Sequence, residues 1–207
     1  MLIDLSHTIE HGMITYPGLP GPLICDFLSR EASRQYYAEG VEFHIGKIEM
    51  VANTGTYLDS PFHRYAGGKD LSELPLESVA GIEAICITPE ELPEADVRDR
   101  AVLVKTGWSR HWRTETYLSG HPFLTEETAR SLVARGARLV GIDSLNIDDT
   151  ADKRRPVHSV LLGAEIPIVE HLTNLAALPR EGFRFFAVPP KVKAFGTFPV
   201  RAFAVVS

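Results

Sequence analysis

The segment "NTGTYLDSPFHRY", residues 53–65, joins a glycine turn and a proline to two side chains that can bind a metal or move a proton. Asp59 and His63 lie four residues apart, and Pro61 between them forbids a regular helix, so they do not share a helical face. Along an extended chain, alternate residues point to the same side, which places Tyr57 beside Asp59. From these residues alone, two interpretations stay open. One is a functional site; the other is a strand end in which Asp59 caps a turn and His63 is a surface residue.

The composition is typical of globular proteins, with 44% hydrophobic and 23% charged residues in a chain of 207. That length suits one well-filled core, so we expect a single domain over residues 1–207. The formal net charge is −6, and the sequence has no basic run of the kind that binds phosphate, which argues against a nucleic-acid partner. It also has no signal-like start and no apolar stretch near the roughly 20 residues that span a bilayer. We therefore expect a cytoplasmic protein without a membrane partner.

Short apolar runs between glycines and prolines predict a mixed α/β fold with antiparallel hairpins and flanking helices. The segment at residues 42–59 is interpreted as one long strand or hairpin because it is rich in β-branched and aromatic residues. The other predicted strands are "MLIDLSHTI" (1–9), "EAICITP" (83–89), "AVLVKTG" (101–107), "RLVGIDS" (138–144), "FRFFAVPPKV" (183–192) and "FPVRAFAVV" (198–206).

One helix is predicted clearly, at "TEETARSLVARGA", residues 125–137. Thr125 is a candidate N-cap, glutamates occupy the first turn, and apolar residues recur on one stripe. The helix leads into the predicted buried strand at 138–144, which indicates an α/β layer. The later segment "SVLLGAEIPIVEHLTNLAAL", residues 159–178, is interpreted as an apolar turn, a short strand and the start of a helix.

The segment at residues 53–63 resembles the signature of the cyclase-like metal-dependent hydrolase family, which includes kynurenine formamidase and isatin hydrolase. That signature is His-x-Gly-Thr-His-x-Asp-x-Pro-x-His. Asn53 and Tyr57 replace its two earlier histidines, and the matching residues are Gly55, Thr56, Asp59, Pro61 and His63. Further blocks resemble the family in the same order: "YPG", "VLVKTGW", "GIDSLNID", "HSVLLGAEIPIVEHLTNL" and "FPVRAFA". The resemblance implies the family's swivelling β/β/α fold.

The resemblance also implies a metal site. In the family, the two early histidines and the aspartate hold one divalent metal, and the aspartate reaches a second metal with a downstream histidine and glutamate. By this comparison Asp59, His158 and Glu170 are metal ligands, suited to zinc or manganese. The amide of Asn53 is a weak ligand, and the phenol of Tyr57, with an ordinary pKa of about 10, would first have to lose its proton. We therefore expect one metal per site, or a weakly occupied pair.

Two side chains are candidates for catalysis. His63 matches the family's proton-transferring histidine, a general base toward water and an acid toward the leaving group. Tyr57 could donate a hydrogen bond to a developing oxyanion. The alternative for Tyr57 is that it fills the space of a lost imidazole and bonds to Asp59, leaving a site without metal.

Three aromatic residues are candidates for contact with substrate. Tyr16 falls near the position of a substrate-contacting aromatic residue in the family. Phe62, inside the signature, and Trp108, in "TGWSRHW", could form an aromatic wall, although core packing explains Trp108 equally well.

The function implied by the resemblance is hydrolysis of a small-molecule amide or ester, with the aryl formamide N-formylkynurenine of tryptophan breakdown as the default substrate. One alternative is a non-catalytic homologue that binds small molecules and has lost its metal. Another is a lyase or dehydratase acting on a small hydroxy acid. The resemblance further implies a homodimer or homotetramer in which the N-terminal segment reaches a partner's pocket.

Overall fold

The computed structural model describes residues 1–206 and is built around a nine-stranded mixed sheet, with a separate two-stranded sheet. The strands are β1 (Leu2–Asp4), β2 (Leu23–Leu28), β3 (Ile45–Glu49), β4 (Tyr57–Asp59), β5 (Ile82–Ile87), β6 (Ala101–Val104), β7 (Leu139–Ile142), β8 (Ile168–Glu170), β9 (Phe183–Phe186), β10 (Thr197–Pro199) and β11 (Phe203–Val206). The α-helices are α1 (Arg30–Ser33), α2 (Glu126–Ala134) and α3 (Pro156–Gly163). Short 3₁₀ helices span Pro61–His63, Leu76–Ser78, Pro89–Glu94, Trp108–His111, Glu115–Leu118 and Leu175–Ala177.

The large sheet has the strand order β1-β11-β9-β5-β6-β7-β8-β4-β10. Its centre, from β5 to β8, is parallel. Both ends are antiparallel, with β9, β11 and β1 on one side and β4 and β10 on the other. The prediction of a mixed α/β fold with antiparallel strands is therefore confirmed.

Two apolar cores cover the two faces of the large sheet. Residues of the central strands alternate between them, as Ile85 and Ile87 join one core while Ala84 and Cys86 join the other. The first core packs against α2 and α3, through residues such as Leu132. The second is closed by the antiparallel strands and the loops beside them. Because both faces are buried, the parallel strands are continuous apolar runs, as the sequence suggested.

Helix α2 confirms the predicted helix. The hydroxyl of Thr125 accepts a hydrogen bond from the amide of Thr128, and Ala129 and Leu132 are buried on the face toward the sheet. Across residues 1–206, none of the helices is long and apolar enough to cross a bilayer.

Three predictions about elements were wrong. The strand predicted at 198–206 is divided between β10 and β11, which lie toward opposite edges of the large sheet. The segment at 42–59 is not one strand or hairpin but β3 and β4, which lie in different sheets. Gly55, between them, has a φ of 66° and a Cβ there would meet Ile9, so the chain turns where the pattern predicted continuity. The apolar turn predicted at the start of 159–178 is the second half of helix α3, whose run of apolar residues gives no amphipathic period.

Candidate metal and catalytic site

Strand β4 positions one half of the site through its two neighbours. Tyr57 lies opposite Glu170 of β8, and Asp59 lies opposite Thr197 of β10. Since alternate residues of a strand share a face, Tyr57 and Asp59 point the same way. The antiparallel register therefore brings a phenol, two carboxylates and a hydroxyl together from three strands.

Helix α3 supplies His158, whose ring faces Asp59 and Glu170. Asp148 caps this helix, since one carboxylate oxygen accepts from the amide of Val157 at 2.7 Å and the other accepts from the amide of His158 at 3.0 Å. The same carboxylate accepts a hydrogen bond from Nδ1 of His158 at 2.6 Å. That bond fixes the proton on Nδ1 and leaves Nε2 free to act as a ligand, the arrangement typical of metal-binding histidines.

The free nitrogen of His158 faces both acidic residues. Its Nε2 lies 3.6 Å from Oδ2 of Asp59 and 3.7 Å from Oε1 of Glu170. Ligand atoms of a tetrahedral metal, each about 2.1 Å from the ion, are about 3.4 Å apart, close to both distances. Asp59, His158 and His63 also offer ligand atoms within 4.8 Å of one another. Among residues 1–206 this is the one group of three whose ligand atoms are all that close, whereas Glu170 approaches the group through Nε2 of His158.

Asp59 is the residue whose hydrogen bonding is incomplete. Its side chain is fully buried, and Oδ1 accepts a hydrogen bond from the hydroxyl of Thr197. Its Oδ2 is buried without a hydrogen-bond partner among residues 1–206. A buried carboxylate oxygen without a donor is costly, and a cation beside it would remove that cost. The donor set and the unpartnered oxygen both fit one divalent metal.

The same threonine fixes the tautomer of His63. A hydroxyl has one proton, which Thr197 gives to Asp59, so its oxygen accepts a hydrogen bond from Nδ1 of His63 at 2.7 Å. Nε2 of His63 therefore has a free lone pair. The His63 side chain is 35% exposed and lines a cavity, so this lone pair is accessible to a ligand or a water molecule.

Glu170 is held by donors from three directions. Its Oε1 accepts from the amide of Ile147 at 2.6 Å, and its Oε2 accepts from the Tyr57 hydroxyl at 2.5 Å and from Asn146 at 3.3 Å. The partner of Tyr57 is thus Glu170, whereas the sequence suggested Asp59. Because the single phenolic proton is directed at Glu170, Tyr57 can donate to an oxyanion only after that bond breaks.

Burial and charge set the protonation of these groups. Burial, together with the charges of Glu170 and Asp59, raises the pKa of Tyr57 well above its ordinary value. Burial also raises the pKa of Glu170. Burial alone would raise the pKa of Asp59, but His63 and His158 outweigh this effect and lower it. Burial alone would lower the pKa of His158, but the three carboxylates around it raise that pKa. The cluster therefore favours a cation at its centre, either protonated His158 or a metal.

The family's other metal position does not fit this chain. A metal there would need Tyr57 as a phenolate, but its hydroxyl donates its single proton to Glu170. Asn53, on the loop before β4, adds only a neutral amide. The residues present therefore match one metal and not two.

A cavity of about 260 Å³ opens beside the cluster. The sequence predicted that Tyr16 would contact substrate, and the structure places it in the lining. Phe62 and Trp108 are not among the lining residues. Consecutive residues of a 3₁₀ helix point about 120° apart, so the helix that presents His63 turns Phe62 elsewhere. The indole of Trp108 donates to the carbonyl of Tyr117 at 3.1 Å, which holds it away from the cavity.

Five polar residues of the site were not identified from the sequence. One is Thr197, whose hydroxyl bonds to Asp59 and His63. Asp148 caps α3 and also orients His158. Asn146, Arg64 and Arg155 line the cavity. A signal was available for Arg64, which follows His63 directly, whereas the placement of Arg155 depends on a backbone conformation that no local pattern indicates.

A second pair of histidines, the buried His171 and the half-buried His7, lies outside the proposed ligand set. His171 packs against the Tyr57 ring, and His7 stacks on Trp112 at 3.9 Å. In residues 1–206 the Nε2 atoms of both histidines are buried without a hydrogen-bond partner. Burial lowers the pKa of His171 to about 3 and that of His7 to about 4, so both are neutral at pH 7.

The sequence is similar to those of known proteins over nearly its full length. The family described as "Putative cyclase" matches residues 3–149. A kynurenine formamidase of Bordetella avium (strain 197N) is 31% identical over 212 residues, which cover 97% of this chain and 96% of that protein.

Solved structures share the fold. Isatin hydrolase A from Labrenzia aggregata, bound to benzyl benzoate, has a TM-score of 0.80 at 24% identity, over 100% of this chain and 93% of that one. A "predicted metal-dependent hydrolase" from Bacillus stearothermophilus has a TM-score of 0.72 at 26% identity, over 99% of this chain and 97% of that one. The fold and site define an α/β protein with a carboxylate–imidazole cluster that fits a divalent metal. The chain belongs to the cyclase family.

Proposed function

We propose that this protein is a metal-dependent amide hydrolase of the arylformamidase type. The observation that carries the proposal is the buried, unpartnered Oδ2 of Asp59, 3.6 Å from the free Nε2 of His158 and beside a cavity of small-molecule size. Relatives named kynurenine formamidase, about as long as this chain, support amide hydrolysis. The likeness to a metal-dependent hydrolase supports the metal.

Each residue of the cluster has a distinct task in this proposal. Asp59, His158 and Glu170 would hold zinc or manganese, which, when bound, polarises the scissile carbonyl and acidifies water. His63, with its free Nε2 on the cavity, takes a proton from the attacking water and returns it to the departing amine. Thr197 keeps the Nδ1 proton of His63 in place, so that the imidazole presents the correct nitrogen.

The test is reconstitution of the purified protein with each metal. The metal-free protein should gain turnover of N-formylkynurenine on addition of zinc or manganese, and His63→Asn should lower kcat by about 10²–10⁴-fold while metal content is unchanged. A panel of aryl esters, lactones and small hydroxy acids would show whether another bond is cut or whether water is eliminated. Tight binding of small aromatic compounds with no turnover in the presence of any metal would instead establish a non-catalytic homologue. The hydrogen bond between Tyr57 and Glu170 is the observation that favours this alternative.

One metal per chain is part of the proposal. We expect one equivalent of zinc by elemental analysis, because Tyr57 and Asn53 do not complete a second position. The double variant Asn53→His/Tyr57→His restores the two histidines of the family signature and should bind two equivalents. Two equivalents in the unaltered protein would refute the one-metal site.

We also propose that the protein is a homodimer. The two-stranded sheet of β2 and β3 is exposed along nearly its whole length, including Phe27 at 75% and Ile48 at 56%. An isolated pair of strands is marginally stable in water, and this pair presents apolar residues on both strands. A second copy of the chain packing on this sheet would supply the missing cover.

A further inference from the structure

Two arginines line the cavity without a carboxylate partner. Within residues 1–206, Arg64 and Arg155 form no ion pair, although the adjacent Arg154 pairs with Asp152 at 2.7 Å. Most arginines on the rest of the surface are paired in the same way, for example Arg201 with Asp4. Unpaired guanidinium groups that point into a cavity are suited to an anionic ligand.

Arg155 keeps most of its hydrogen-bonding capacity. Its Nη1 donates to the carbonyl of Asp149 at 3.1 Å, and its Nη2 donates to the hydroxyl of Tyr16 at 3.0 Å. A guanidinium has five N–H donors, so three are left for a ligand. Because Tyr16 accepts from Arg155, the phenolic proton of Tyr16 is also free for a ligand.

The backbone at Arg155 is in an unusual conformation for an arginine. Its φ is 50° and its ψ is 59°, the left-handed region that disfavours residues with a Cβ. The residue stands immediately before α3, whose first turn is held by Asp148. The turn that orients His158 therefore also sets the position of the Arg155 side chain at the cavity.

Arg64 lines the same cavity. Its Nε donates to the hydroxyl of Ser159 at 3.2 Å, and its guanidinium is 5.2 Å from the centre of the Tyr65 ring. Arg64 follows His63 in the sequence, and its partner Ser159 follows His158. The bond between them therefore places this cation next to both histidines of the cluster. Its other N–H groups are available to a ligand.

The cavity lining contains no acidic residue. Its members are Tyr16, Leu19, Asn53, Tyr57, His63, Arg64, Asn146, Arg155 and His158. Asp59 and Glu170 lie fully buried behind this surface. A ligand carboxylate would meet two guanidinium groups, whereas a ligand ammonium would meet no exposed anion.

We propose that the substrate is an amide that carries a carboxylate and no ammonium group beside it, with Arg155, Arg64 and Tyr16 as the carboxylate subsite. This inference rests on the proposed amide hydrolysis, and it makes an acyl amino acid with a free α-amino group, such as N-formylkynurenine, a poorer substrate than its deaminated analogue.

The first experiment compares three formamides on the metal-loaded enzyme. They are N-formylkynurenine, its analogue without the α-amino group, and the primary amide of that analogue. We expect kcat/KM for the carboxylate analogue to exceed that for its neutral amide by about tenfold to a hundredfold, with N-formylkynurenine between them. Arg155→Gln and Arg64→Gln should each reduce this preference, mainly through KM, while Arg154→Gln leaves it unchanged. Equal kcat/KM for the charged and neutral compounds would overturn the subsite.

The second experiment needs no turnover. Isothermal titration calorimetry measures binding of the deaminated analogue of kynurenine, and of its primary amide, to metal-free and metal-loaded protein. We expect the carboxylate to bind tighter than the amide in both states, and Arg155→Gln to remove the difference. If no formamide is hydrolysed but this preference is found, the proposed function fails and the subsite stands. If hydrolysis is found and the carboxylate has no advantage in binding, the subsite fails and the function stands.

Discussion

At the scale of single residues, Asp148 holds the proposed metal ligand His158 in place. It bonds to Nδ1 of His158 and to two amides at the start of α3. Asp148→Asn keeps an oxygen for the amides but removes the carboxylate from the imidazole. We expect the affinity for zinc to fall by about 10–100-fold, measured by competition with a chromogenic chelator.

The matched control is Asp143→Asn. Asp143 is also a buried aspartate, and it accepts hydrogen bonds from Thr106 and from the amide of Gly107 rather than from any of the proposed metal ligands. That variant should lose stability without losing zinc affinity. Equal zinc affinity in the Asp148 variant and the unaltered protein would show that the aspartate only caps the helix.

His7 gives a prediction about pH. Burial lowers its pKa from 6.5 to about 4 in the folded chain, so between these values the unfolded chain binds a proton that the folded chain does not. The stability that this histidine contributes is complete above pH 6.5 and is lost as the pH falls toward 4. Protonation of His7 in the unfolded chain should therefore lower the free energy of unfolding by up to about 1.4 kcal/mol for each unit by which the pH falls in this range.

Urea unfolding of His7→Gln between pH 7 and 4.5 tests this slope. Glutamine cannot take up the proton, so the variant should lose less stability than the unaltered protein over the same range. Replacement of the exposed His11 by glutamine is the control for removing a histidine. If stability depends on pH in the same way in the His7 variant and in the unaltered protein, then the His7 imidazole of the unaltered protein is not desolvated.

At the scale of elements, the 3₁₀ helix that presents His63 is packed directly on a glycine. A Cβ at Gly196 would lie 2.5 Å from the backbone nitrogen of His63 and 2.6 Å from its Cα, and backbone atoms cannot move aside cheaply. We expect Gly196→Ala to displace this helix, to destabilise the fold by about 1–3 kcal/mol, and to lower kcat by at least tenfold. Denaturant unfolding and steady-state kinetics measure the two effects.

Gly67, in the loop that follows, offers the control. A Cβ there would meet nothing within 4 Å, and its backbone needs no left-handed conformation. Gly67→Ala should therefore leave both stability and kcat nearly unchanged. Normal activity in the Gly196 variant would show that the position of His63 tolerates a shift.

Elements with a clear local pattern were predicted well from the sequence. The central strands are apolar runs because both faces of the sheet are buried, and α2 has a cap and an apolar stripe. Local pattern did not predict α3, which is apolar on most sides, or the break between β3 and β4, which depends on the turn at Gly55. Propensity describes residues 42–59 as extended, but it does not say which sheet each part joins.

The site could be anticipated only in part for the same reason. Asp59 and His63 are close in sequence, and the family resemblance implied His158 and Glu170. The bond between Tyr57 and Glu170 depends on the register of β4 against β8, a pairing across more than a hundred residues that sequence patterns do not contain. Arg155 lies at the cavity because its own backbone is left-handed just before α3, a conformation that the periodicity of the sequence does not predict either.

At the scale of the whole molecule, the β2–β3 sheet is the largest departure from a closed monomer. Phe27→Ser with Ile48→Thr removes apolar area from the sheet while keeping residues that tolerate strand geometry. If a second copy covers this surface, the double variant should shift from the mass of two chains to the mass of one. Light scattering at several concentrations measures the shift.

A matched surface change separates this effect from a general loss of hydrophobicity. Leu76 is 66% exposed in a 3₁₀ helix outside the β2–β3 sheet. Leu76→Ser should leave the mass unchanged. A monomeric unaltered protein, or a double variant that keeps the mass of two chains, would refute the proposed dimer.

The first and last strands of the fold are neighbours. Strand β1 pairs with β11, with Leu2 opposite Val205, so the two ends of the described chain lie about 5 Å apart. A short glycine linker can therefore bridge them, and new ends can be opened in the exposed stretch between α1 and β3. Such a circular permutant keeps Asp59, His158 and Glu170 on one uninterrupted piece of chain, so the order in which the polypeptide is synthesised can be changed without dividing the proposed metal ligands.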